Sequence, residues 1–196
     1  MQQENKKLSN LHISNRVDHI YSEHVDLVSR VVYFQHSDVE LAETACFLRS
    51  LRLLETLGTG KITVVLDCVG GDVVHALSIY HAIRSSPCEV EVRVEGYCMS
   101  AAVLILQAGD IRSSTPTSAY MIHRGTVDLP TQHPGSVQNT ATFWRKLTDG
   151  ADEILVQKIQ QKFPTRSRKK ILGLLELDNY ISAQGFLELG LLDTIY

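Results

Sequence analysis

Ile62 to Asp72 reads ITVVLDCVGGD, an apolar run over its first five residues that leads to a double glycine. Ile62 to Leu66, bounded by Gly60 and Gly70, suits a strand buried on both faces, as in the interior of a parallel sheet. Beyond Gly70-Gly71, residues Val73, Ala76, Leu77, Tyr80 and Ile83 recur at helical spacing. A buried strand therefore turns through two glycines directly into a helix.

The same alternation continues on both sides. Upstream, Arg30 to Phe34 (RVVYF) is a short β-branched and aromatic run that reads as a strand. Ser37-Asp38-Val39-Glu40 fits a capping box, and Ala42, Leu48, Leu51, Leu54 and Leu57 then mark a helix that stops at Gly58. Downstream, Val90, Val92 and Val94 alternate with Glu91, Arg93 and Glu95, the pattern of a half-exposed strand. Ala101 to Ala108 reads as a short buried helix, Tyr120 to His123 as a strand, and Pro130 and Pro134 as marks of a loop. A long helix is expected from about Val137 to Lys162, and a further one from Ile171 to Leu177. Ser182 opens a last short helix that stops at Gly190. Strands alternating with helices argue an α/β fold built on a mostly parallel sheet, with sites at the carboxyl ends of its strands. Residues 1–28 are polar without a clear period and read as an amino-terminal arm; residues 29–196 read as one domain.

Composition agrees with one globular unit. The chain has 196 residues, 44% hydrophobic and 21% charged, with a formal net charge of −3. That charge gives no electrostatic case for binding nucleic acid or an anionic membrane. The terminus MQQENKKLSN lacks the apolar core of a signal peptide, and Met99 to Leu106 is too short to span a bilayer, so a cytoplasmic location is expected. Cys46, Cys68, Cys88 and Cys98 contain no C-x-x-C pair and read as buried thiols rather than metal ligands. No phosphate-binding glycine loop is present, so neither a nucleotide cofactor nor a metal is expected.

Several residues carry chemistry of their own. Gly70-Gly71 permits either a plain tight turn or close approach of a ligand to the backbone. Ser100 follows Gly96-Tyr97-Cys98-Met99 and precedes two alanines. It reads either as a helix cap or as a nucleophile whose oxyanion would face the Ala101 amide. The G-x-S-x-G elbow is absent, which disfavours an α/β-hydrolase. His123 ends an apolar run, and Asp178 lies among other acids, Glu176 and Asp193; each alone reads as structural or solvated. Arg166, Arg168, Lys169 and Lys170 read as a solvated helix start.

Taken together, Arg30 to Tyr196 resembles the Clp-type proteolytic subunit, a self-compartmentalised serine peptidase. The resemblance rests on Gly70-Gly71 followed by Ala76 to Tyr80, and on Gly96 to Ala102 with Ala108-Gly109. Met121-Ile122-His123, then Asp178 to Ala183 with Gly190 to Asp193, extend it in register. It implies the ClpP/crotonase-like fold of repeated ββα units with a projecting long helix. It implies a triad of Ser100, His123 and Asp178, with the Gly71 and Ala101 amides as oxyanion hole. The chain order Ser, His, Asp, with gaps of 23 and 55 residues, differs from the orders of chymotrypsin, subtilisin and the α/β-hydrolases. By the same analogy Gly70, Asp72 and Val73 on one side, and Arg124 and Gly125 on the other, would clasp a peptide as an added strand. The implied partners are peptide or unfolded protein, a homo-oligomeric ring, sevenfold or stacked into a tetradecamer, and an ATP-driven AAA+ unfoldase.

The sequence also departs from the family pattern. Arg124-Gly125 follows the histidine where the family commonly has Gln-Pro. Pro130 and Pro134 fall where the family has a glycine-rich strand, and Leu177 stands where an arginine commonly precedes the catalytic acid. The amino-terminal segment also does not resemble the family's axial-loop sequence, and these departures together concern ring pairing and ATPase docking rather than the triad. Three alternatives share the fold or its surface: a phage-type capsid-maturation peptidase, a crotonase-like acyl-CoA enzyme and an inactive structural subunit. Ser100 and His123 in matching positions speak against the acyl-CoA enzyme, and the complete triad against the inactive subunit.

Overall fold

Seven residues, Ile62–Cys68, form the central strand β3, and all but Asp67 are buried. The computed structural model describes residues 20, 22–35, 38–125 and 134–196. Strand β3 pairs in parallel with β2 (Val31–Gln35) on one side and β4 (Val90–Met99) on the other, the environment its apolar run requires. The sheet continues outward through β1 (Val25–Asp26), antiparallel to β2, and through β5 (Ile111–Ser114) and β8 (Thr194–Ile195), both parallel. The long strand β4 divides its partners. Glu91 to Val94 pairs with β5, whereas Tyr97 to Met99 pairs with β6 (Ala119–Ile122). Beyond β6 lies β7 (Asn179–Ser182), antiparallel to it.

Among the described residues these helices cover the sheet: α1 (Leu41–Thr56), α2 (Val73–Arg84), α3 (Ala102–Ala108), α4 (Pro134–Lys162), α5 (Arg168–Leu172) and α6 (Ala183–Leu189). Asp72 starts α2 as its N-cap, its Oδ1 accepting from the N–H groups of Val74 and His75 at 2.7 and 3.1 Å. Helix α3 is buried on every side, as its sequence AVLILQA demands. Helix α4 has 29 residues, about 44 Å at 1.5 Å per residue. Its second half packs through Ala151, Leu155, Val156 and Ile159, while residues 136–150 carry no buried side chain. None of the described helices is long and apolar enough to cross a membrane. Tyr120 stacks on Phe186 at 4.1 Å between ring centroids, tying α6 to β6, and its hydroxyl donates to Ser114 Oγ at 2.6 Å.

The structure corrects several sequence expectations. Val25 and Leu27 are buried, so the arm expected over residues 1–28 ends earlier. Val25-Asp26 is too short to show a period, and Asp26 Oδ1 accepts from Val28 and Ser29 to fold the turn into β2. Residues 1–19 lie outside the described residues, as do Ser37 and Pro130. Helix α1 takes Glu40 as its N-cap, with no side-chain cap bond, so it starts three residues after the Ser37 expected there. Strand β4 is not half-exposed at Glu91. That side chain is buried because Lys61, Arg93 and Ser113 satisfy it, and the strand runs on to Met99. The helix expected over Ile171 to Leu177 is shorter and earlier, since Ser167 caps it and Gly173 ends it. Pro134 begins α4 rather than lying in a loop, a first-turn position its missing N–H suits.

Candidate active site

Two parallel strand ends and one antiparallel register build the site. Met99 of β4 pairs with Met121 of β6, so Ser100 and His123 both emerge at the carboxyl ends of adjacent strands. In the antiparallel pair, Ile122 opposes Asn179; one further step in that register sets Asp178 opposite His123. The result is a continuous chain of contacts. Ser100 Oγ lies 2.7 Å from His123 Nε2, and His123 Nδ1 lies 3.1 Å from Asp178 Oδ1.

Ser100 itself is held in the left-handed region, at φ 51°, a conformation uncommon for a residue with a side chain. Its N–H donates to Met121 O at 2.8 Å, and its carbonyl accepts from Val103 as α3 begins. The cap of α3 is Ala101, so Ser100 is not the helix cap that its sequence context allows. Gly70 sits beneath this turn. A Cβ there would fall 2.7 Å from Ser100 Cβ and 2.9 Å from Met99 O, so only glycine lets the two turns nest. Gly71 has φ 136°, and a Cβ on it would approach Val39 N to 2.5 Å. Val39 bridges the glycine turn instead, donating to Gly70 O at 2.6 Å and accepting from Asp72 N at 2.9 Å. Among the described residues the N–H groups of Gly71 and Ala101 donate no hydrogen bond, and both residues line the cleft beside Ser100.

This geometry coincides with a match along nearly the whole sequence: a model of the Clp protease family covers residues 12–196. The chain belongs to the Clp protease family. It is 28% identical over 177 residues to the ATP-dependent Clp protease proteolytic subunit of Deinococcus radiodurans, covering 87% of this chain and 84% of that one. A solved ClpP1 variant from Listeria monocytogenes superposes with a TM-score of 0.76 at 20% identity, covering 87% of this chain and 92% of that one. The protein is therefore a Clp-type proteolytic subunit with the ClpP/crotonase-like α/β fold.

In this Clp-type subunit the cleft beside Ser100 has a volume of about 330 Å³. Gly71, Asp72, Val73, Ala101, His123 and Gly125 line it, whereas Gly70 does not. Arg124 is placed differently. Its N–H donates to Leu175 O at 2.7 Å, and its guanidinium turns to α4, bonding Asp152 through Nε at 2.9 Å and Asp149 through Nη2 at 2.8 Å. The far wall, which the sequence reading did not find, comes from Leu104 and from Trp144, Thr148, Ala151, Asp152 and Leu155 of α4. Their spacing follows one face of a helix, a signal present in the sequence but indistinguishable there from a packing stripe. Burial raises the Asp152 carboxyl above its ordinary value, with the Arg124 charge pulling the other way. Burial also pushes the Cys68 thiol up to about 11 and Cys98 well above its ordinary value, which keeps both thiols protonated.

Proposed function

We propose that this subunit is a serine endopeptidase in which Ser100, His123 and Asp178 act as the triad and the Gly71 and Ala101 amides as the oxyanion hole. The observation that carries the reading is the unbroken line from Ser100 Oγ through His123 Nε2 and Nδ1 to Asp178 Oδ1, at 2.7 and 3.1 Å. Serine is a weak nucleophile on its own and needs a base within this distance. Asp178, accepting from Nδ1–H, leaves Nε2 as the acceptor facing the hydroxyl.

In the acylation step the Ser100 Oγ–C bond forms as the Oγ proton passes to Nε2. The carbonyl π electrons move to oxygen, toward the two free amides. The imidazolium then protonates the leaving nitrogen as the C–N bond breaks and the carbonyl re-forms. Water repeats the sequence: its proton goes to Nε2, its oxygen bonds to the acyl carbon, and Ser100 leaves with the proton returned. Asp72-Val73 and Gly125 would hold the substrate backbone as an added strand.

The same reading takes residues 29–196 as one peptidase unit working in the cytoplasm, where four cysteines without a disulfide are at home. Its substrates are peptides and unfolded proteins, its assembly a homo-oligomeric ring, sevenfold by family analogy, and its partner an ATP-driven unfoldase. Phe143, 60% exposed on the first half of α4, and Leu177, 80% exposed, support burial against a neighbouring copy. The test is hydrolysis by the purified protein. Short fluorogenic peptides are cleaved without ATP, while a stable folded substrate is cleaved only with a matching unfoldase and ATP. Digestion of the folded substrate by the protein alone would contradict the enclosed-chamber model and favour an open-site maturation peptidase. A monomer by light scattering at micromolar concentration would contradict the ring.

A further inference from the structure

Peptide hydrolysis as such does not require a carboxylate in the wall of the cleft, yet α4 supplies one. Asp152 is 4% exposed, and it lines the cavity together with apolar Leu104, Trp144 and Leu155. Its Oδ2 accepts from Arg124 Nε at 2.9 Å. Its Oδ1 carries no hydrogen bond among the described residues. The residue lies in the lining of the cleft, on the same wall as Trp144, Thr148 and Leu155. A single guanidinium, that of Arg124, serves both Asp149 and Asp152, so the ionised cluster retains a negative charge. Asp72 adds a second carboxylate to the lining, and no lysine or arginine is among the described lining residues.

We propose that this cleft selects a substrate side chain with an apolar stem and a cationic head, lysine or arginine, on the acyl side of the scissile bond, with Asp152 as the specificity-determining residue. The proposal rests on the reading of Ser100 as nucleophile, since that places the cleft next to the acyl carbon. The stem of such a side chain lies along Leu104, Trp144 and Leu155 while the head meets Oδ1. A wholly apolar side chain of the same length strips water from Oδ1 and returns no hydrogen bond. An acidic one meets like charge. Discrimination thus comes from the cost of a buried, half-paired carboxylate as much as from the new ion pair.

Equilibrium binding to the Ser100→Ala protein tests this without catalysis. The probes are fluorescent product-type peptides that differ only in a C-terminal lysine, norleucine or glutamate. The lysine peptide is expected to bind about tenfold more tightly than the norleucine peptide, and the glutamate peptide most weakly. Adding Asp152→Asn, which keeps the volume and removes the charge, should bring the lysine-to-norleucine ratio close to one. A merely structural role would weaken all three peptides alike and leave the ratio unchanged, which overturns the proposal. Equal or tighter binding of norleucine to the Ser100→Ala protein also overturns it, even if the double variant does not fold. Hydrolysis of the matching substrates by the unaltered protein is read separately. If no peptide is cleaved, the peptidase reading falls while the binding ratio still decides the pocket.

Discussion

Replacing Glu91 by glutamine measures how much one buried carboxylate contributes to the sheet that carries the site. The Glu91 side chain is only 8% exposed and accepts from Lys61 Nζ at 2.8 Å, Ser113 Oγ at 2.6 Å and Arg93 Nη2 at 3.2 Å. Burial alone would raise its carboxyl. The hydrogen bonds from Lys61 and Ser113, with the charge of Arg93, overcome that and hold it at about 2 against an ordinary 4.5. That separation, at about 1.4 kcal/mol per tenfold change in proton affinity, corresponds to about 3 kcal/mol. Lys61 is 46% exposed and Arg93 35%, so solvent screening trims the figure to roughly 2 kcal/mol. Because the folded-state value is depressed, this stability is complete above pH 4.5 and is lost as the pH falls toward about 2. Glutamine cannot ionise, so the difference between the two proteins should follow that window. Thermal unfolding at matched protein concentration should show Glu91→Gln lower by about 4–8 °C at pH 7, with the gap closing steadily below pH 4.5. A gap of the same size at pH 3 and pH 7 would refute the electrostatic origin, and no gap at pH 7 would refute the coupling itself.

Two further predictions concern the site. Gly71→Ala should strain the turn at φ 136° and push Val39 away, costing about 1–3 kcal/mol in unfolding free energy; the surviving folded protein should lose about 10²-fold or more in kcat. Unaltered kcat/KM in that variant would remove Gly71 from the oxyanion hole. Asp178→Asn should lower kcat by about 10²–10³-fold with little change in KM, less than for a buried triad acid, because Asp178 is 60% exposed and water can orient His123 in part. Steady-state kinetics on one fluorogenic peptide reads both parameters.

What could be read from the sequence follows from where the physical signal is local. The run Ile62 to Leu66 announced an inner strand because burial on both faces leaves no charged position and favours β-branched and apolar side chains. The long helix announced itself by its length, and Ser182 and Gly190 by the capping chemistry that they do perform. Strand β5 was illegible because its buried residues are polar and satisfied at long range: Ser113 donates to Glu91, and Arg112 forms paired bonds with Asp193 at 3.0 and 2.6 Å. The same non-local pairing hid the burial of Glu91. Strand β7 escaped because it is an edge with Tyr180 68% exposed, yet it is the element that carries Asp178 to His123. Ser100, His123 and Asp178 were legible only as motifs in family register, since each residue alone has a blander reading. The wall of the cleft was not legible, because a helix that lines a pocket and one that packs on a core share the same periodicity.

The most direct test of the account is labelling with a fluorophosphonate, followed by peptide mapping of the modified residue. The account predicts a single modified residue, Ser100, with loss of peptide hydrolysis in proportion to labelling and no labelling of Ser100→Ala. Modification at another residue, or full hydrolysis retained by Ser100→Ala, would contradict it.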